Sequence, residues 1–258
     1  MERTTSNKRK NTLLVANYAP NVGYAWWLME MFWVQVASYQ EACESQTFIA
    51  YPEFAEVPAL ISESTIQAVK LRVDFGCLQI MGNMCQFVRD NEIKIVYLTD
   101  RAYFEKRYAL LRAAGVEKII VHDHTPGDRP KVRGLKRVLK KIRNRFTKYT
   151  ADFFINVSPY MTERSINNGC IPVEKCLTVQ NGVEPFAIDS RHKVLVRKEL
   201  GIDDDAVVVV TSGRMLPYKQ IDLIVKSFAE ALKNTEEKIE LIIVGDGPET
   251  LEIDRLIG

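Results

Sequence analysis

The stretch TSGRMLPYKQIDLI, residues 211–224, leaves the apolar run AVVVV and holds the groups best suited to binding a polyanion. Gly213 lets the backbone turn sharply and approach a ligand closely. Arg214 and Lys219 add two full positive charges, and Pro217 is placed to open a helix whose N-terminus carries further partial positive charge. Two cations, a glycine turn and a helix N-terminus at one strand exit suit a diphosphate. A second exit, LIIVGDGPE (241–249), sets Gly245, Asp246, Gly247 and Pro248 in a loop whose glycines again permit close backbone approach. Two of the three histidines, His122 and His124, sit together in KIIVHDHTPG (118–127). An imidazole at a strand exit can donate a hydrogen bond to a hydroxyl or a phosphate without carrying a full charge. Asp123, between them, is a candidate to orient either ring.

The elements that must position these groups alternate along the chain. Short apolar runs, TLLVAN (12–17), TFIAYP (47–52), KIVYLTD (94–100), KIIVHD (118–123), DFFINVS (152–158), CLTVQN (176–181), AVVVVTS (206–212) and IELIIVGD (239–246), are mostly separated by stretches of helical periodicity. Strands apolar on both faces predict parallel sheets covered by helices on each side, with ligands beyond the carboxyl ends of the strands. The pattern breaks at VEPFAIDSRHK (183–193), where Pro185 interrupts it, and this predicts a first domain over residues 1–185 with six strands and a second over 186–258 with two. Two strands cannot bury both faces of a doubly wound sheet, so the second domain is expected to be incomplete.

At 258 residues and 47% hydrophobic, the chain can bury a large core. Five cysteines without a C-x-x-C pair favour reduced thiols over a disulfide frame or a zinc site. No G-x-G-x-x-G follows the first strand, which counts against a nicotinamide oxidoreductase. No run reaches the roughly 18 apolar residues of a membrane span. The nearest, Tyr24 to Ala37, is broken by Glu30 and Gln35 and reads as a first helix, apolar nearly all round and therefore buried in the core. The net charge of +2 hides ten Lys/Arg and no acid between Arg129 and Lys148, which leaves 2 − 10 = −8 for the remainder. Within that segment Val132, Leu135, Val138, Leu139, Ile142 and Phe146 recur at helical intervals, one apolar stripe among cations. Such a helix either lies on anionic lipid, through Lys136, Arg137, Lys140 and Lys141, or packs its stripe on the core and leaves a solvated basic face. Nucleic acid is disfavoured as a partner because no aromatic platform accompanies the charge.

Three segments in this order and spacing, VQNGVEPF (179–186), GRMLPYKQIDLIVKSFAEAL (213–232) and LIIVGDGPETLE (241–252), resemble the retaining glycosyltransferases of family 4. Residues 151–179, ADFFINVSPYMTERSINNGCIPVEKCLTV, are similar to the stretch preceding that family's domain crossover. The resemblance implies the GT-B fold, with two Rossmann-like domains, the second incomplete here. It implies an enzyme that moves a sugar from a nucleotide-sugar donor to a glycan or lipid-linked acceptor with retention, without a metal or other cofactor. It assigns Arg214 and Lys219 to the donor diphosphate, within a donor site that includes Gly213, Gly245, Asp246, Gly247 and Pro248. It places a catalytic histidine near the transferred sugar, His124 by alignment or else His122, and puts Gly23 and His122 on the acceptor side. It implies a cytoplasmic protein, peripheral on the inner membrane face and engaged in cell-surface polysaccharide synthesis. The family's later glutamate pair would lie beyond Gly258, so the chain is expected to be C-terminally truncated and inactive alone. The alternative is a non-catalytic, membrane-docked partner protein.

Overall fold

The computed structural model describes residues 9–20, 27–125, 127–182, 185, 187 and 189–258. They fall into two compact units that divide between residues 184 and 185. Gly23 lies outside the described residues.

The first unit is built on β1 (Asn11–Val15), β2 (Thr47–Tyr51), β3 (Gln67–Lys70), β4 (Ile93–Thr99), β5 (Lys118–Asp123), β6 (Phe153–Asn156) and β7 (Cys176–Thr178). All pair in parallel, in the spatial order β3-β2-β1-β4-β5-β6-β7. The helices are α1 (Trp27–Ala42), α2 (Ala59–Ser62), α3 (Leu78–Asp90), α4 (Tyr108–Ala113), α5 (Gly134–Arg143) and α6 (Pro159–Asn167). Alternate strand residues face opposite sides, so the runs feed two cores. Leu13, Val15, Val96 and Leu98 meet Met81, Met84, Tyr108 and Leu111 on one face. Leu14, Ile49, Tyr51 and Tyr97 meet Met29, Trp33 and Ala37 on the other. Both faces are covered, which is why the strands read as unbroken apolar runs. The five cysteines are all free thiols.

Three expectations need correction. The first sheet has seven strands where the sequence pattern predicts six. The unforeseen β3 is a four-residue edge strand whose residues are exposed or half-buried, so it lacks the apolar run that marks the inner strands. α1 is not buried all round. Met29, Glu30, Trp33, Ala37 and Gln40 face inward, whereas Trp27 is 45% and Tyr39 71% exposed, because a helix on the outside of a sheet has only one face against it. The apolar stripe of the basic segment is not packed on the core either, and α5 has no buried residue.

The second unit comprises α7 (Ser190–Leu200), β8 (Val207–Ser212), α8 (Ile221–Leu232), β9 (Ile239–Val244) and α9 (Thr250–Ile257). The side chain of Asp189 caps α7 by accepting a hydrogen bond from Arg191 N, and Gly201, left-handed at φ 67°, ends it. β8 and β9 pair in parallel from Val207 beside Ile239 to Ser212 beside Val244. Met215, Ile221, Val225 and Ile253 form the core of this unit. Pro217 begins a single 3₁₀ turn, Pro217–Lys219, instead of opening α8. The helix starts later because Gln220 is left-handed at φ 54° and breaks the continuity between turn and helix.

Candidate functional site

In the second unit the loops after β8 and β9 lock together edge to edge. Gly213 N donates to Val244 O at 2.9 Å, Met215 N to Asp246 O at 2.9 Å, and Glu249 N to Met215 O at 3.3 Å. A Cβ at Gly245 would overlap Gly213 O, and one at Gly247 would overlap Met215 O, so both positions require glycine for the loops to meet. The sequence motifs are therefore two halves of one backbone ledge at the carboxyl ends of adjacent parallel strands. The N–H groups of Gly213, Met215, Gly247 and Glu249 are spent within the ledge, so its part is to fix the backbone that carries Arg214. Arg214 rises from the ledge itself, and Lys219 stands at the end of the 3₁₀ turn; both are exposed. Asp246 serves the loop. Its carboxylate accepts hydrogen bonds from Thr250 Oγ1 at 2.8 Å and from Gly247 N at 2.6 Å, and these hold its pKa below the usual carboxylate value. Pro248 is exposed and leads into α9.

In the first unit the chain runs outward from β1 to β3 and returns to β4 on the other side of β1. This reversal of strand order at β1 and β4 is the usual ligand position in an open α/β sheet. Period two along β5 puts Ile120, His122 and His124 on the α1 side and Asp123 on the other. The imidazoles of His122 and His124 lie 4.1 Å apart between ring centroids. His122 is fully buried; its Nδ1 is 2.6 Å from Tyr97 Oη, and Phe32 of α1 packs edge-on at 5.5 Å. Burial, and secondarily the neighbouring His124, push its pKa down to about 3, so it is neutral at ordinary pH. Burial also raises the pKa of Tyr97, so the phenol keeps its proton, and the tautomer of His122 decides which of the two donates.

His124 differs. Its backbone N donates to Asp100 Oδ1 at 2.6 Å, and its Nδ1 stands 3.4 Å from the same oxygen. Among the described residues, His122 Nε2 and both ring nitrogens of His124 are buried without a hydrogen-bond partner. Since Asp100 stands beside Nδ1 of His124, the Nε2 atoms of the two rings are the ones a polar ligand would satisfy. Asp123 orients neither ring. It accepts from Arg129 Nη2 at 2.9 Å and from the buried Arg164 Nη2 at 3.4 Å, on the opposite face of the sheet. Arg164 also donates to Thr125 O at 3.0 Å and to Gly127 O.

The sequence reading missed three residues here. Asp100 closes KIVYLTD at the exit next to β5, a position that adjacent strand order could have flagged. Tyr97 reads only as core. Glu30 reads only as an interruption of an apolar run, yet it is 6% exposed, and burial raises its pKa.

The four cations expected on a membrane part into two pairs. Lys136 and Lys141 point to solvent, whereas Arg137 and Lys140 turn inward. Arg137 Nη1 donates to Asn167 O at 2.7 Å and Lys140 Nζ to Asn168 O at 3.0 Å, so these two fasten α5 to the end of α6.

Among known proteins, the family described as "Glycosyl transferases group 1" matches residues 193–258, most of the second unit. No curated protein matches the chain. A glycosyltransferase from Rickettsia africae ESF-5 superposes with a TM-score of 0.71 at 14% identity, covering 96% of this chain and 64% of that one. WaaG, a glycosyltransferase involved in lipopolysaccharide biosynthesis, gives 0.55 at 13%, covering 95% and 67%. A structure described as "Trehalose-6-phosphate from E. coli bound with UDP-2-fluoro glucose" gives 0.53 at 11%, covering 96% and 68%. The chain thus spans about two thirds of the length of these structures. At such identities the likeness is one of fold: the chain has the α/β, Rossmann-like units of the GT-B type, and its second unit is similar to the group 1 glycosyl transferases.

Proposed function

We propose that the chain is a retaining glycosyltransferase of the family 4 type that uses a nucleotide-sugar donor and acts on a glycan or lipid-linked acceptor. The observation that carries this reading is the interlocked glycine ledge beneath Arg214 and Lys219, within the segment that matches the group 1 glycosyl transferases. In transfer, the bond from the anomeric carbon to the diphosphate oxygen breaks and the acceptor oxygen bonds to that carbon. The acceptor's proton leaves with the departing diphosphate. Negative charge grows on that leaving group, and cations fixed beforehand are most effective where charge develops. His124 is the proposed partner of the transferred sugar, with neutral His122 behind it on the acceptor side. No metal or other cofactor is required by this scheme. The protein is proposed to work in the cytoplasm, peripherally on the inner membrane face, in cell-surface polysaccharide synthesis.

The chain on its own is proposed to bind nucleoside diphosphate without turning the sugar over. This is supported by Val209 and Val210, adjacent and therefore on opposite faces of β8, which are 43% and 60% exposed and leave the donor unit loosely built. A non-catalytic, membrane-docked protein is the second reading, favoured by the same exposure. Calorimetric titration with UDP, ADP and GDP tests the donor site. Arg214→Ala and Lys219→Ala should each weaken binding by about tenfold or more, the scale of one hydrogen bond to a charged group. Unchanged affinity in both variants, or no binding of any of the three by the parent chain, would remove the diphosphate site. Sugar transfer by the chain, with retention at the anomeric carbon, would show that it is active alone.

A further inference from the structure

An amphipathic helix in a globular protein normally turns its apolar stripe inward. α5 is mounted the other way round. Its inward contacts are polar: Arg137 and Lys140 reach Asn167 O and Asn168 O, and Asn144 Nδ2 donates to Gly169 O at 3.1 Å and Cys170 O at 3.0 Å. These carbonyls lie at the C-terminal end of α6, the end that lacks intrahelical donors and attracts positive charge. The opposite face carries Leu135, Val138, Leu139 and Ile142, each 52–73% exposed, with Phe146 just beyond at 55%. At about 100° per residue the two faces are diametrically opposed, and the flanks between them hold Lys136 and Arg143 on one side, Lys141 and Arg145 on the other.

The Lys141–Arg145 flank borders a cavity of about 300 Å³. Arg137 and Lys141, one turn apart on α5, and Arg145 just beyond its end line one wall; Ile166 and Val173 contribute apolar surface, and Glu174 is the one acid. Three cations against one carboxylate suit a phosphate. The open apolar stripe beside it suits hydrocarbon. A free phosphate would have no use for the stripe, and a nucleic acid would have no use for five outward aliphatic and aromatic side chains. The geometry points to a site for one anionic phospholipid, its phosphate in the cavity against Lys141 and Arg145 and its chains along Leu135, Val138, Leu139 and Ile142. This rests on the membrane location proposed above and adds to it a defined headgroup site.

Vesicle flotation of the whole chain separates the two ideas. The vesicles are phosphatidylcholine alone and phosphatidylcholine with phosphatidylglycerol. Parent protein should float with the anionic vesicles only, and Leu139→Glu with Ile142→Glu should abolish flotation; both side chains are exposed, so the fold should survive. Lys141→Gln with Arg145→Gln, in the cavity, should weaken anionic binding at least tenfold. Lys136→Gln with Arg143→Gln, the same charge loss on the far flank, should weaken it less than threefold. Equal losses for the two pairs would overturn the headgroup site and leave diffuse membrane attraction. Absence of flotation by the parent chain, or tighter binding to a short RNA than to anionic vesicles, would overturn the membrane reading as well. Dihexanoyl phosphatidylglycerol, below its micelle concentration, should shift the NMR signals of Ile166 and Val173. If inorganic phosphate shifts them at the same concentration, the cavity is a phosphate site with no lipid preference and the proposal fails.

Discussion

β1 and β8, Asn-Thr-Leu-Leu-Val and Val-Val-Val-Val-Thr-Ser, are both short strands rich in aliphatic residues, yet their environments are opposite. Leu13, Leu14 and Val15 are wholly buried, whereas Val207, Val209 and Val210 are 49%, 43% and 60% exposed. The difference is in the neighbours. β1 pairs with a strand on each side and has a core on each face. β8 pairs with β9 alone among the described strands, and its unit gathers one small core. Apolar content makes a segment able to be buried; the number of surfaces brought against it determines whether it is. The two sheets should therefore respond very differently to the same substitution.

The sharpest contrast is core truncation. Leu14→Ala should cost about 2–5 kcal/mol in chemical denaturation of the first unit, the range for emptying a tightly packed aliphatic site. A loss below about 1 kcal/mol would mean that the first sheet is packed no better than the second. Next in size is Gly245→Ala. Its Cβ would overlap Gly213 O at a φ of 155°, so the loops after β8 and β9 must part. Titration with a nucleoside diphosphate should then show affinity reduced by about tenfold or more, since the ledge and Arg214 would shift together. Retained affinity would separate diphosphate binding from the ledge.

Acid should discriminate between the units more gently. The folded pKa of His122 is lowered from 6.5 to about 3, so between these values the unfolded chain binds more protons than the folded one. Its contribution is complete above the unfolded value and is lost as pH falls towards the folded one. The slope from this residue approaches ~1.4 kcal/mol per pH unit within that window. His122→Gln should flatten the pH dependence of first-unit stability, and an unchanged slope would assign acid sensitivity elsewhere. The smallest effect is expected at Val210→Thr, within about 0.5 kcal/mol, because an exposed strand position has little packing to lose. A loss several times larger would show that β8 is covered in solution, and the comparison between the sheets would collapse.

The β-α alternation, the parallel sheets and the loops that carry Gly213, Arg214, Lys219 and Gly245 to Pro248 were legible because they depend on local periodicity and on glycine and proline chemistry. Period two alone places His122 and His124 on one face of β5 and Asp123 on the other. The start of α8 was misread by four residues, since nothing in Pro217 announces that Gln220 will be left-handed. β3 was invisible because an edge strand has no need of an apolar run.

What only the tertiary structure decided is which groups meet across long separations in the chain. Asp100 sits beside His124 because β4 and β5 are neighbours; Asp123 meets Arg164 because α6 packs on β6, the strand beside β5. The orientation of α5 is the clearest case. The sequence of residues 134–143 determines that one side is apolar and the other cationic, through the 3.6-residue turn. Which side faces the protein is set by the carbonyls of Asn167 to Cys170, more than twenty residues later, because those unsatisfied acceptors bind Arg137, Lys140 and Asn144 and so leave the stripe outside. Periodicity assigns residues to faces, and only the partners present in space assign faces to the interior.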